Sequence, residues 1–114
     1  MLRYERDYMM RMIAAAAAAV ARLRERLAGG ASPGEIAAES RSAQGELLGS
    51  EAPLLRALDA PSAVHAIGDV DRIRAWVELL RLEAYATRSA GDPVAADALE
   101  RRADALATAM KSPD

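Results

Sequence analysis

The stretch from Met12 to Leu27, MIAAAAAAVARLRERL, decides the fold of this chain. Alanine has the highest intrinsic helix propensity, so such a dense run leaves little alternative to a helix. Around it, apolar residues recur at steps of three and four and form one stripe along the helix. The stripe consists of Met9, Met12, Ala16, Val20, Leu23 and Leu27. Because alanine lets a partner helix come close, the sequence predicts a packing element here.

Start and stop signals then divide the chain into helices. The first helix is predicted from about Arg3 to Ala28, ahead of a glycine pair. Ser32 and Glu35 have the spacing of a capping box, with Pro33 at the first helical position. A second helix is therefore predicted to begin at this point and to end at Gly49.

The second half of the chain is predicted to contain two short pieces and two long helices. Ser50 to Pro53 opens a short helix, and one further helical turn or two is expected from Ala63 to Ile67. Asp69 starts a long helix, and Gly91-Asp92-Pro93 separates it from the last one. The inner residues predicted for these two helices are Ile73, Trp76, Val77, Leu80, Ala84, Thr87, Ala95, Ala98, Leu99, Ala103, Leu106 and Met110. No stretch alternates long enough for a strand.

Composition limits the function classes. The chain has 114 residues, 52% of them hydrophobic, with a net charge of −2 and no cysteine. An acidic balance argues against binding to nucleic acid, and the lack of cysteine excludes disulfides and thiolate metal sites. Met9 to Ala21 is apolar, but acidic residues precede it, Arg11 interrupts it, and it is too short to cross a bilayer. We therefore expect a cytoplasmic protein with no membrane partner.

The last two helices resemble part of a tetratricopeptide helix pair. Ala84 lies before the predicted turn, and Ala96 and Ala103 follow it, at the spacing where that repeat has small residues. Thr87 and Glu100 depart from the pattern, because the repeat usually has large apolar or aromatic residues there. A single pair cannot bury its faces alone, so the first helix is expected to supply its neighbour.

The whole chain resembles an uncharacterised bacterial family of small all-helical, tetratricopeptide-like proteins. The resemblance is carried by Glu5 to Ile13, with its Glu-Arg-Asp-Tyr-x-Met-Arg motif, and by Arg88 to Pro93. This chain departs from the family pattern at Ala14 to Ala19, where larger residues are usual. The resemblance implies an all-α fold of four to five helices in one domain, residues 1–112. The long N-terminal helix is expected to pack with the C-terminal hairpin. The family carries no established activity.

No residue pattern indicates catalysis, a cofactor or a metal. His65 is the single histidine, and a catalytic metal site normally needs three protein ligands. Glu78 and Glu83 diverge on one helix, and Ser40 and Ser42 have no histidine or lysine base at helical spacing. The sequence therefore predicts no catalytic, cofactor-binding or metal-binding residues and no cofactor.

One surface stands out as a candidate interaction patch at the start of the first helix. It consists of Tyr4, Arg6, Asp7, Tyr8, Met10 and Arg11. Tyrosine and arginine are favoured at protein interfaces. The plainer interpretation is a helix start whose tyrosines cover the C-terminal pair, with Asp7 paired to Arg11.

Two functional classes follow. The first is a non-enzymatic interaction module, either an adaptor for another protein or a module that self-associates. The second is a ligand-binding protein or enzyme with a site between helices. Its residues would be Arg6, Tyr8, Trp76 and Glu83. The chain has no phenylalanine and the first helix has apolar residues on more than one face, so a homodimer through that helix is predicted.

Overall fold

A computed structural model describes residues 3–111, and nearly all of them lie in helices. The α-helices are α1 (Arg3–Ala28), α2 (Pro33–Leu48), α3 (Ala52–Ala57), α4 (Ala60–Ile67), α5 (Val70–Ser89) and α6 (Pro93–Lys111). One turn of 3-10 helix, Gly49–Glu51, joins α2 to α3. No strand occurs among these residues. The predicted all-α fold is confirmed, and the turn or two expected from Ala63 is an eight-residue helix.

Helix α5 is the centre of the fold. It contacts α1, α2, α4 and α6, and half of its 20 residues are buried. α1 and α2 form a hairpin whose helices both contact α5, whereas α6 turns back along α5. The long N-terminal helix therefore packs against the C-terminal hairpin through α5. Within the described residues, α1 has no contact with α6.

The core follows the predicted stripes closely. In α1, Ala16, Val20 and Leu23 are buried, and Met9 and Met12 are half-buried. Trp76 is the largest fully buried side chain. A smaller cluster near the α1–α2 turn consists of Leu23, Ile36, Leu82 and Ala86. The steps of three and four therefore identified the inward face of α1 correctly.

Small residues bring α5 and α6 together. Ala84, Ala96 and Ala103 are all completely buried, as predicted for the hairpin. Ala98 was predicted to face inward, but it is exposed. The reason is the register of α6. Its inward positions run from Ala96 through Leu99, Ala103 and Leu106 at steps of three and four, and Ala98 falls outside that series.

Three helices of the C-terminal half are capped by aspartate. The carboxylates of Asp59, Asp69 and Asp92 each accept a hydrogen bond from a backbone N–H three residues ahead, at 2.8, 3.0 and 3.1 Å respectively. The hydrogen bond from the Ser62 N–H lowers the pKa of Asp59. Asp59 with a proline two residues later is thus a start signal, which is why α4 begins at Ala60 rather than Ala63.

The capping box predicted at Ser32 is wrong. Ser32 precedes α2 and Pro33 begins it, but the serine side chain forms no capping hydrogen bond. Ser32 is exposed, so water can satisfy the free N–H groups of the first turn without it. The start of α2 was predicted correctly, but not the interaction that stabilises it.

The aspartate caps predict a difference between two alanine substitutions. Asp69→Ala removes an acceptor at the start of the central helix and should lower the free energy of unfolding by about 1 kcal/mol. Ser32→Ala is the matched control and should change it by less than about 0.5 kcal/mol. Urea denaturation followed by circular dichroism measures both. Equal losses would contradict this assignment of the caps.

Candidate functional site

The residues of the predicted interaction patch all lie on the surface of α1. Tyr4, Arg6, Asp7, Tyr8, Met10 and Arg11 are exposed. They do not converge on one point, because consecutive residues wind around the helix. The expected ion pair between Asp7 and Arg11 does not form, since no contact within 4.0 Å joins their charged atoms. Both charges therefore face solvent.

The two tyrosines lie beside the end of α2 and next to the start of α5, so they reach only the first turn of the C-terminal hairpin that they were predicted to cover. Tyr4 and Tyr8 line a shallow cleft of about 260 Å³ together with Leu47 and Arg72. Because α1 and α2 form a hairpin, the start of α1 is placed next to the end of α2. The Arg72 Nε donates a 3.0 Å hydrogen bond to the Leu47 carbonyl, and so satisfies a carbonyl of the last turn of α2.

The four residues of the alternative ligand site are not brought together. Trp76 and Glu83 are buried, with 1% and 7% of their surface exposed. Arg6 and Tyr8 lie on the outside of α1. The structure therefore brings together only the half of this candidate site that belongs to α5.

A residue that the sequence analysis did not single out joins Trp76 to Glu83. Gln44 of α2 is buried, and its Nε2 donates to the Glu83 Oε1 at 2.7 Å. Its Oε1 accepts from the Trp76 Nε1 at 3.3 Å. Arg41 approaches the other carboxylate oxygen of Glu83 at 3.9 Å. The signal in the sequence was a polar residue at helical spacing from apolar ones, eight residues after Ile36 and three before Leu47.

Arginines complete the surroundings of this cluster, which we call the Gln44 cluster (Gln44, Trp76 and Glu83). The Arg102 guanidinium lies 5.4 Å from the centre of the Trp76 ring, a cation–π contact. It also donates to the Leu55 carbonyl at 2.9 Å, and its burial lowers its pKa. No buried polar side-chain atom of the described residues lacks a hydrogen-bond partner. Five cavities of this part of the chain are lined by other residues. The cluster is thus a closed structural element.

Another cavity of the described residues is an apolar groove between α4, α6 and the start of α5. It measures about 890 Å³, and its lining includes Val64, Ile73 and Met110. His65 also borders it and is exposed. Within residues 3–111, no three His, Cys, Asp or Glu side chains are grouped to hold a metal ion. This groove can accept an apolar side chain.

An exposed side of α1, which borders the surface of α5 near Ala17 and Arg24, has a second regular pattern. Its exposed residues at steps of three and four are Asp7, Met10, Ala14, Ala17, Ala21 and Arg24. We call this the outer stripe; it lies roughly 130° around the helix axis from the inner one. Met10 is 59% exposed. Ile13, by contrast, packs against the core, so the uncovered apolar surface on this side of α1 is Met10 followed by alanines.

Comparisons with protein-family models, with curated proteins and with solved structures give no match. The suspected bacterial family and its N-terminal motif therefore stay predictions. None of the described helices is long and apolar enough to cross a membrane.

The Gln44 cluster predicts a double-mutant result. Gln44→Leu leaves the buried Glu83 carboxylate and the Trp76 N–H without their partner and should lower the free energy of unfolding by about 3 kcal/mol. Gln44→Leu with Glu83→Leu removes the stranded carboxylate and should recover part of that loss. The exposed Ser42→Leu is the control and should change stability little. Additive losses in the double variant would contradict the coupling.

Proposed function

We propose that the protein is a non-enzymatic helical interaction module that works by self-association through the outer stripe of α1. The observation that carries the proposal is the uncovered apolar surface between Met10 and Ala21. Its residues recur at the same steps of three and four that elsewhere in the chain accompany helix contacts. A periodic apolar face on a helix is typical of a surface that packs against another helix.

Composition supports the same proposal. The chain has no phenylalanine and one tryptophan, so each residue buries less apolar area than in an average domain. Ordering the backbone still costs about 1 to 2 kcal/mol per residue. A contact that covers Met10 and brings two alanine faces together adds burial and dispersion energy. Pairing with a second copy is the simplest closed arrangement for such a face.

The other functional classes have weaker support. A ligand-binding protein or enzyme built on Arg6, Tyr8, Trp76 and Glu83 would need these residues to converge, and they are divided between the surface and a closed cluster. The support for an adaptor that binds a foreign protein is limited to the apolar groove between α4 and α6. The absence of cysteine suits the cytoplasm, where we propose that the protein acts.

Self-association predicts a difference between two apolar-to-glutamate substitutions. Met10→Glu places a charge within the outer stripe and should shift the protein to monomer in sedimentation equilibrium across a wide concentration range. Val94→Glu is the matched control, because Val94 is 79% exposed at the start of α6, away from α1. It should leave the association unchanged.

Circular dichroism should show the same helical content in both variants, which separates loss of association from loss of folding. A wild-type protein that is monomeric at every concentration would contradict the proposed function.

A further inference from the structure

We infer that two copies pair antiparallel through α1, with Asp7 of each copy opposite Arg24 of the other. The inference rests on the proposed self-association and names its geometry. It follows from where the charges lie on the outer stripe. Asp7 and Arg24 end the stripe and both are exposed, and neither forms an ion pair with the side chains that the structure describes.

The spacing of the stripe fixes the register. Its positions alternate steps of three and four, so the stripe has the heptad spacing of a coiled-coil seam. Placing the twofold axis between residues 15 and 16 sets Ala14 opposite Ala17, Met10 opposite Ala21, and Asp7 opposite Arg24. Each of these three residue pairs therefore occurs twice in the dimer. Met10 faces the small Ala21, and each charged residue faces one of opposite charge.

Charge separates this arrangement from a parallel pair. In a parallel pair, Asp7 would face Asp7, Met10 would face Met10, and Arg24 would face Arg24. Like charges directly opposite each other destabilise a contact, whereas opposite charges favour it and set the orientation. The antiparallel pair has two Asp7–Arg24 contacts, one at each end of the interface.

Moving the antiparallel pair by one heptad in either direction shortens the seam. One shift sets Asp7 opposite Ala17 and leaves Arg24 outside, and the other sets Arg24 opposite Ala14 and leaves Asp7 outside. Both shifts lose the two ion pairs and part of the apolar contact. The register with Asp7 opposite Arg24 uses the whole stripe.

The interface is small, which sets the expected strength. From Asp7 to Arg24 the stripe extends about 26 Å at the rise of an α-helix. One pair of alanine-lined helices of that length lies at the low end of specific interfaces, below about 1,200 Å². We therefore expect a dimer in exchange with monomer, with a dissociation constant in the micromolar range.

The first experiment exchanges the charges. Asp7→Arg places two arginines at each end contact of the dimer, and Arg24→Asp places two aspartates there. Each single variant should therefore dimerise about tenfold more weakly than the wild type. The double variant Asp7→Arg/Arg24→Asp restores opposite charges and should dimerise nearly as well as the wild type. In a parallel pair the double variant has like charges at both ends and gains nothing over the singles. Arg101→Asp, an exposed change on α6, is the control and should have no effect.

The second experiment reads the orientation directly, because the chain has no cysteine of its own. Met10→Cys and Ala21→Cys proteins are mixed and oxidised. Antiparallel pairing brings the introduced cysteine of one variant next to that of the other and should give mixed disulfides, since a disulfide needs Cα atoms within about 7 Å. Disulfides only between identical variants, together with no rescue by the double charge exchange, would overturn this geometry while leaving self-association standing. A wild type that stays monomeric would overturn both.

Discussion

The hydrogen bonds of Gln44 fix how α2 lies against α5, and most of the fold depends on that contact. Its amide bonds the Trp76 N–H on one side and the Glu83 carboxylate on the other. These two residues are two helical turns apart on α5, so one side chain sets both the height and the rotation of α2. An apolar core of leucine and alanine tolerates sliding, whereas a slid Gln44 would leave buried polar atoms unpaired.

The other long helices take their positions from α5, because they pack against it. The α1–α2 hairpin contacts it on one part of its surface, and α6 contacts it through Ala84, Ala96 and Ala103 on another. Arg102 of α6 lies over the Trp76 ring and donates to the Leu55 carbonyl, so this arginine links α3, α5 and α6. The Trp76 N–H in turn donates to Gln44 of α2, so the buried tryptophan interacts with side chains of both α2 and α6.

Periodicity predicted what depends on local sequence. The bounds of α1 and its inward face follow from apolar residues that repeat every turn, and the α5–α6 turn follows from Gly91-Asp92-Pro93. The failures depend on the surroundings. Whether Ser32 bonds a backbone N–H is decided by competition with water, and whether Gln44 is buried is decided by what α5 places opposite it. The sequence singled out Asp7 and Met10 of the outer stripe but not its alanines, because an alanine in a helix is explained by helix propensity alone.

The two faces of α1 differ in a way that the monomer alone does not require. Towards α2 and α5 the helix has Val20 and Leu23, whose size fills the core. On the outer stripe, solvent would accept lysine or glutamate at every position, and such residues form helices nearly as well as alanine. The stripe instead has Met10 and three alanines between two opposite charges at its ends. Helix propensity explains alanine anywhere on α1, and charges are absent from Met12 to Ala21 on every face of the helix. It does not explain why the charges at the two ends of this line have opposite signs. A second helix lying along the line explains both, because it needs small residues where the backbones approach and complementary charges where they diverge.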